Sequence, residues 1–179
     1  MGLDQYLTAR VYVGAKYRAV KQNYIEMQDD YGNDKDFVDF KECKVYPTSN
    51  ISEIIYDIGY WRKANWIHKW FVDNVQEGTD DCKSYMVSEE LLDELYSICE
   101  TILNKFCTVE NDKDRDELIN YINDKLPLQS GFFFGSTDLK DKDELDYYRE
   151  SLYDTMSFIR RAKKYIEKFG ADIYYQASW

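Results

Sequence analysis

The run Tyr60-Trp61-Arg62-Lys63-Ala64-Asn65-Trp66-Ile67-His68-Lys69-Trp70-Phe71-Val72 constrains this 179-residue chain more than any other. It holds three of the four tryptophans, the one histidine and three basic residues without an acid, in a chain whose net charge is −11. Trp61, Ala64, Ile67, Phe71 and Val75 recur at steps of three and four. That spacing predicts an amphipathic helix over 61–76 with those five residues as its buried stripe. Arg62, Asn65 and Lys69 share a different face, with Trp66 beside them. The stretch therefore offers one side to a core and a polar, cationic, aromatic side to something else.

The flanking sequence supplies the rest of a fold. Residues 3–13 alternate Leu3, Leu7, Ala9, Val11 and Val13 against Asp4, Tyr6, Thr8, Arg10 and Tyr12, which predicts a strand. Residues 16–50 are tyrosine-rich and acidic, with a turn signal at Tyr31-Gly32-Asn33-Asp34 and a close at Pro47-Thr48-Ser49-Asn50. Residues 51–58 predict a second strand leading through Gly59 into the helix, which Gly78 stops. Ser88 caps a helix over 88–106, with Glu89 and Glu90 in its first turn and a stripe of Leu91, Leu95, Ile98, Ile102 and Phe106. A shorter helix starts near Asp114, with Glu117 as its capping-box partner, and stops before Pro127. Residues 143–169 form one long helix closed by Gly170, with Arg160, Arg161, Lys163, Lys164 and Lys168 as a solvated cationic end. The ending Asp172-Ile173-Tyr174-Tyr175-Gln176-Ala177-Ser178-Trp179 alternates and predicts a strand tied in beside the first. The expected class is α+β: a small, mainly antiparallel sheet including both terminal strands, packed by about four helices. We expect a single domain over 1–179, with 16–50 a variable acidic excursion.

Composition excludes several classes. Two prolines and eight glycines argue against a disordered chain. No run of 18 apolar residues is present to span a membrane. Met1-Gly2-Leu3-Asp4 has neither a basic nor an apolar leader segment, and Tyr6 stands where a myristoylation motif needs Ser or Thr. Cys43, Cys82, Cys99 and Cys107 form no C-x-x-C pair, so reduced thiols, a cytoplasmic setting and no structural zinc are expected. The acidity opposes binding to DNA or to an anionic membrane. It suits either a solvated surface or a nucleic-acid mimic.

Chemistry-bearing motifs are few. Phosphate-loop, nucleophile-elbow, zinc-protease and dinucleotide fingerprints are all missing, and no catalytic residue or cofactor is expected. Gln129-Ser130-Gly131-Phe132-Phe133-Phe134-Gly135-Ser136 brackets two glycines with serines, and its backbone N–H groups could hold an anion. The competing reading is a strand with glycine at a bulge, since three consecutive Phe favour burial. His68 titrates near neutrality, yet no neighbour in sequence completes a nucleophilic pair, which favours a packed structural histidine. Arg62, Lys63 and Lys69 could pair with phosphate, Trp66 and Trp70 could stack on a base or simply fill a core, and Asn65 could read a base edge or ribose. The candidate ligand-binding set is Arg62, Asn65, His68, Lys69, Gln129, Ser130, Gly131 and Ser136, with no metal ligand among them.

Four segments together carry a resemblance. They are the opening Met1-Gly2-Leu3-Asp4-x-Tyr6-Leu7, the stretch Gly59-Tyr60-Trp61-Arg62-Lys63-Ala64-Asn65-x-Ile67-His68-Lys69-Trp70-Phe71-Val72, the tract from Gln129 to Thr137, and the ending Tyr174-Tyr175-Gln176-x-Ser178-Trp179. The chain resembles, end to end, a family of small proteins of tailed bacteriophages and prophage-carrying bacterial genomes that has no established activity. That family usually ends in Tyr-Gln-Ser-Ser-Trp, whereas Ala177 stands here in place of the first serine. The resemblance implies a small non-virion protein in the cytoplasm of an infected bacterium, and it carries over no catalytic residue. Three functions fit that setting. The first is a binding protein that sequesters a phosphate-bearing nucleotide, including the signalling nucleotides of bacterial immunity. The second is an acidic inhibitor that binds a host protein as a DNA mimic, and the third a nucleotide-processing enzyme. A nucleotide or a host protein is thus the expected partner, with nucleic acid and membrane disfavoured and self-association left open.

Overall fold

The computed structural model describes residues 2–12, 24–28, 34–39, 52–132, 134 and 137–179, and for 24–28 and 34–39 only the backbone path. The expected turn at Tyr31-Gly32-Asn33, the close at 47–50, Cys43, Gly135 and the candidate site residue Ser136 lie outside the described residues. The chain divides into two compact units. One spans 11–55 and contains the antiparallel pair β2 (Tyr24–Gln28) and β3 (Asp34–Asp39), whose register slips between Ile25 and Met27. The other joins 1–10 to 56–179 and carries the candidate site.

That second unit is α+β. Strands β1 (Asp4–Tyr12), β4 (Glu53–Arg62), β5 (Tyr85–Val87) and β6 (Asp172–Ser178) form an antiparallel sheet in the order β4-β1-β6-β5. Four helices accompany it: α1 (Asn65–Asn74), α2 (Glu89–Phe106), α3 (Asp112–Lys125) and α4 (Lys142–Phe169). The terminal strands pair as expected, from Asp4 opposite Ser178 to Arg10 opposite Asp172. Alternation puts Leu7 and Ala9 of β1, with Leu3 just before it, and Ile173, Tyr175 and Ala177 of β6 into the core. The same parity carries the polar Gln5 inward, where it is fully buried.

The central stretch departs from its expected form. Trp61 and Arg62 belong to β4, and the helix begins only at Asn65. Tyr60 and Arg62 are exposed while Trp61 is buried, a two-residue rhythm in which aromatic side chains favour a strand. Lys63 then takes a left-handed φ of 59° and breaks the strand. The three-residue step from Trp61 to Ala64 mimicked a helical stripe across this break. Glycine 59 sits inside β4 rather than before a helix, because the ring of Phe158 on α4 lies against it. A Cβ at 59 would stand 2.6 Å from Cδ2 and 3.0 Å from Cβ of Phe158. Tyr56 and Gly59 both face α4, Tyr56 through Tyr165 at 4.8 Å between ring centroids. Facing the same way three residues apart requires one extra residue in the strand, as in a bulge.

Helix α1 is buried on most sides: Asn65, Trp66, Ile67, His68, Trp70, Phe71 and Val72 are all inaccessible. The expected exposed aromatic face therefore does not form. Trp66 instead donates its indole N–H to Ser151 Oγ at 3.0 Å, and Trp61 donates to Thr155 Oγ1 at 2.9 Å. The two hydroxyls lie four apart on α4 and each donates onward to a carbonyl of its own helix, Ser151 to Tyr148 and Thr155 to Ser151. A buried indole N–H needs such a partner, so these pairs lock α1 and the end of β4 onto α4. Phe71 stacks on Tyr175 with centroids 3.8 Å apart and planes 9° apart, joining α1 to β6.

The other helices follow their caps. Ser88 accepts from Leu91 N, and Asp141 accepts from the N–H groups of Asp143 and Glu144. Gly170 ends α4 in the left-handed conformation. Helix α3 starts at Asp112 rather than Asp114, because Asn111 supplies the cap to Asp114 N. The buried stripe of α2 is Leu92, Leu95, Cys99, Ile102 and Leu103, rotated from the expected one so that Leu91 and Ile98 sit at its margin. The cationic end of α4 is largely paired: Lys163 meets Asp93 at 2.6 Å and Arg161 donates to Ile58 O at 3.0 Å.

The Gly59 contact makes a sharp test. Gly59→Ala should lower stability by about 1–3 kcal/mol through overpacking against Phe158. An unchanged urea midpoint would show that the ring gives way freely and that the contact does not set the seating of α4.

Candidate functional site

The four sequence segments singled out above meet around His68. It stands on α1 with no accessible surface, and both ring nitrogens are engaged. Nδ1 lies 2.9 Å from the hydroxyl of Tyr175 on β6, and Nε2 lies 3.0 Å from Asp80 Oδ1 in the loop after α1. Tyr175 donates to Gln5 Oε1 at 3.0 Å, and Gln5 Nε2 donates to the carbonyl of Ala64 at 3.0 Å. A chain of hydrogen bonds thus runs from the residue that precedes α1, through β1 and β6, back to α1 and out to Asp80.

Counting protons fixes what this chain can do. With Gln5 turned so that its amide donates to Ala64, three links remain: Gln5 to Tyr175, Tyr175 to His68, and His68 to Asp80. A neutral imidazole and one hydroxyl supply two protons for them. When Nε2–H serves Asp80, the single Tyr175 proton faces two acceptors, Nδ1 and Gln5 Oε1. Burial lowers the His68 pKa below the usual imidazole range, against the opposing pull of the Asp80 carboxylate. Burial first, and the Asp80 charge second, push the Tyr175 hydroxyl well above its ordinary range, so it remains a neutral donor. In this arrangement both nitrogens of His68 face protein groups, and one of the two contacts of the Tyr175 hydroxyl is left without a proton.

Two rings close over this core. The imidazole centroid lies 5.0 Å from Phe134 and 5.3 Å from Trp179, and those two lie 5.9 Å from each other. Phe134 and Trp179 are half-buried beside the fully buried imidazole. The Asp80 side chain is 28% exposed, with its Oδ1 turned to His68.

Asn65 holds the glycine-bracketed tract in place. At 1% exposure, its Oδ1 accepts from Gln129 N at 3.1 Å and its Nδ2 donates to Thr137 Oγ1 at 3.3 Å. One side chain therefore ties both ends of residues 129–137 to the first turn of α1. Its amide is spent on the protein and is not available to read a ligand. Between those ties the chain turns rather than extending as a strand, with Phe134 N donating to Gly131 O at 3.2 Å. Ser130 and Gly131 are exposed on this turn, and Phe132 is 95% exposed. Gln129 Oε1 is buried without a hydrogen-bond partner among the described residues.

Of the expected set, the structure ties Gln129 to Asn65, three residues before His68 on α1, and carries Ser130 and Gly131 exposed in the tract that follows Gln129. Arg62 and Lys69 are placed differently. Arg62 ends β4, with its carbonyl accepting from Tyr147 on α4, and Lys69 pairs with Asp73 at 2.8 Å. Gln5, Asp80, Phe134, Thr137, Tyr175 and Trp179 were not in that set. Gln5 carried a signal, a polar residue at an inward position of an alternating strand; Asp80 carried none.

Among the described residues, no group of three or more His, Cys, Asp or Glu is placed to hold a metal, and no helix is long and apolar enough to cross a membrane. Compared with protein-family models, curated proteins and solved structures, the chain finds no match.

A histidine whose pKa is lowered by folding binds fewer protons folded than unfolded, so stability rises with pH across its titration. Wild-type stability should therefore fall as pH drops below about 6.5. His68→Gln should remove that component of the slope and cost about 1–3 kcal/mol at neutral pH by leaving Tyr175 or Asp80 poorly paired. Denaturant melts of both proteins from pH 8 to pH 5 check this; parallel curves would mean that His68 does not titrate differently on folding.

Proposed function

We propose that this chain is a binding protein that sequesters a phosphate-bearing nucleotide in the cytoplasm of an infected bacterium, including a nucleotide that signals in bacterial immunity. The observation that carries the reading is the convergence of the Asn65-tied tract with Phe134 and Trp179 above a histidine whose nitrogens are both occupied. Half-exposed aromatic rings suit a planar base, which stacks on them at about 1–3 kcal/mol per base. The imidazole is fully buried and presents no surface to a substrate atom, which favours capture over turnover. With Arg62 and Lys69 elsewhere, the phosphate falls to the Ser130 hydroxyl and the backbone of the Gly131 turn, where exposed N–H groups favour anions.

One observation favours the second reading, an acidic inhibitor of a host protein. Phe132 is 95% exposed at the tip of the tract, in a chain of net charge −11. Large exposed aromatics serve as anchors in protein interfaces. The flat patch of Trp66, Trp70 and Trp179 that would best support it does not form, since Trp66 and Trp70 are buried. A nucleotide-processing enzyme would need His68 open beside a carboxylate; Asp80 is there, but the ring has no accessible surface.

Calorimetric titration with nucleosides and with mono-, di- and cyclic nucleotides, alongside thermal melts, tests the leading reading. At least one nucleotide should bind, raise Tm, and outbind its nucleoside. Asn65→Ala should weaken that binding roughly tenfold or more, equivalent to about 1.4 kcal/mol, by releasing the tract. If no nucleotide in the panel binds, the reading fails, and capture of a host protein by the wild type but not by Phe132→Ala would establish the second.

A further inference from the structure

The Asp80 carboxylate has no assigned role beyond holding His68, yet its setting resembles a recognition group. It lies in an exposed loop, but its side chain is drawn inward until it is 28% exposed. The chain of hydrogen bonds from Ala64 through Gln5, Tyr175 and His68 fixes Oδ1, and with it the plane of the carboxylate. Oδ1 is 3.0 Å from the imidazole that Phe134 and Trp179 cover. No cationic side chain is paired with Asp80 among the described residues, whereas its neighbour Asp81 is paired with Lys83 at 2.8 Å. A carboxylate fixed on one oxygen, without a cation, beside two half-exposed rings is an oriented acceptor next to a stacking surface.

We infer that Asp80 selects the base of the bound nucleotide by accepting hydrogen bonds from its edge, and that the base is guanine. This inference rests on the nucleotide-binding reading above. A carboxylate only accepts, so it discriminates by where a base carries donors. Guanine places two donors side by side, the N1–H and the exocyclic N2 amino group, and a carboxylate can take both. Adenine and cytosine each set a bare ring nitrogen beside their amino group, and that lone pair faces the carboxylate. Uracil has one N–H between two carbonyl oxygens. Hydrogen bonds to a charged partner are the strong ones, and mismatched edges leave the carboxylate desolvated and unpaired. Affinity therefore orders guanine above hypoxanthine, which lacks the amino group, and hypoxanthine above adenine and uracil.

The experiment compares GMP, IMP, AMP and UMP by calorimetry on wild-type protein and on Asp80→Asn, with a melt of the variant as a folding control. GMP should bind at least about tenfold more tightly than AMP or UMP, with IMP between. In folded Asp80→Asn, GMP should fall to the level of AMP. AMP or UMP binding as tightly as GMP overturns the inference while leaving the nucleotide reading in place, as does a folded Asp80→Asn protein that keeps the preference for GMP. No binding by any nucleotide overturns both. If Asp80→Asn fails to fold, the ranking of the four nucleotides on wild-type protein decides alone.

Discussion

A helix buried on nearly every side must find partners for its polar groups inside the protein, and α1 meets that demand in two directions. Toward α4, Trp66 donates to Ser151, while the adjoining strand residue Trp61 donates to Thr155. Toward the sheet, His68 joins Tyr175 and, through it, Gln5. Each unmet donor or acceptor in such a place costs about 1–3 kcal/mol. The seating of α1 against β1, β6 and α4 is therefore dictated by hydrogen-bond geometry as much as by apolar burial. Substituting any one of these residues disturbs two elements at once.

This arrangement also explains why the tract at 129–137 sits where it does. Asn65 opens α1, following Ala64, which has no side chain to cap the helix. Its amide is used instead to fasten Gln129 and Thr137. The position of Phe134 over His68 thus depends on the same helix that the indoles fix to α4. Rigid elements placing a turn is the common way a fold presents a binding surface.

Much of the architecture was legible in the sequence. Alternation at 3–13 and 172–179 gave two strands that do pair, and Ser88, Gly170 and the long apolar periodicity at 143–169 marked helices that form. The error at Trp61 has a physical origin: a strand running into a helix through one left-handed residue can imitate a continuous helical stripe over a short window. The site was harder to read. Tyr175 lies 107 residues from His68, and Gln5 lies 170 from Tyr175, so no local pattern joins them. Asn65, His68 and Gln129 were recognised by residue type and do come together; Arg62 was chosen on the assumption of a helical face that belongs to a strand. Asp80, in a loop of ordinary composition, had nothing in sequence to mark it.

The outermost strand has one more consequence. The peptide between Arg62 and Lys63 gives its N–H to Leu3 at 2.8 Å, so its carbonyl points away from that partner. Tyr147 of α4 donates to that carbonyl, and Arg161 of α4 donates to the carbonyl of Ile58 in the same strand. An open strand edge invites another chain to add itself by main-chain pairing. Here one acceptor such a chain would need, the carbonyl of Arg62, is already taken by a side chain from a helix of the same molecule. Loosening α4 would therefore do more than weaken packing: it would free a backbone acceptor of β4 for pairing with another chain.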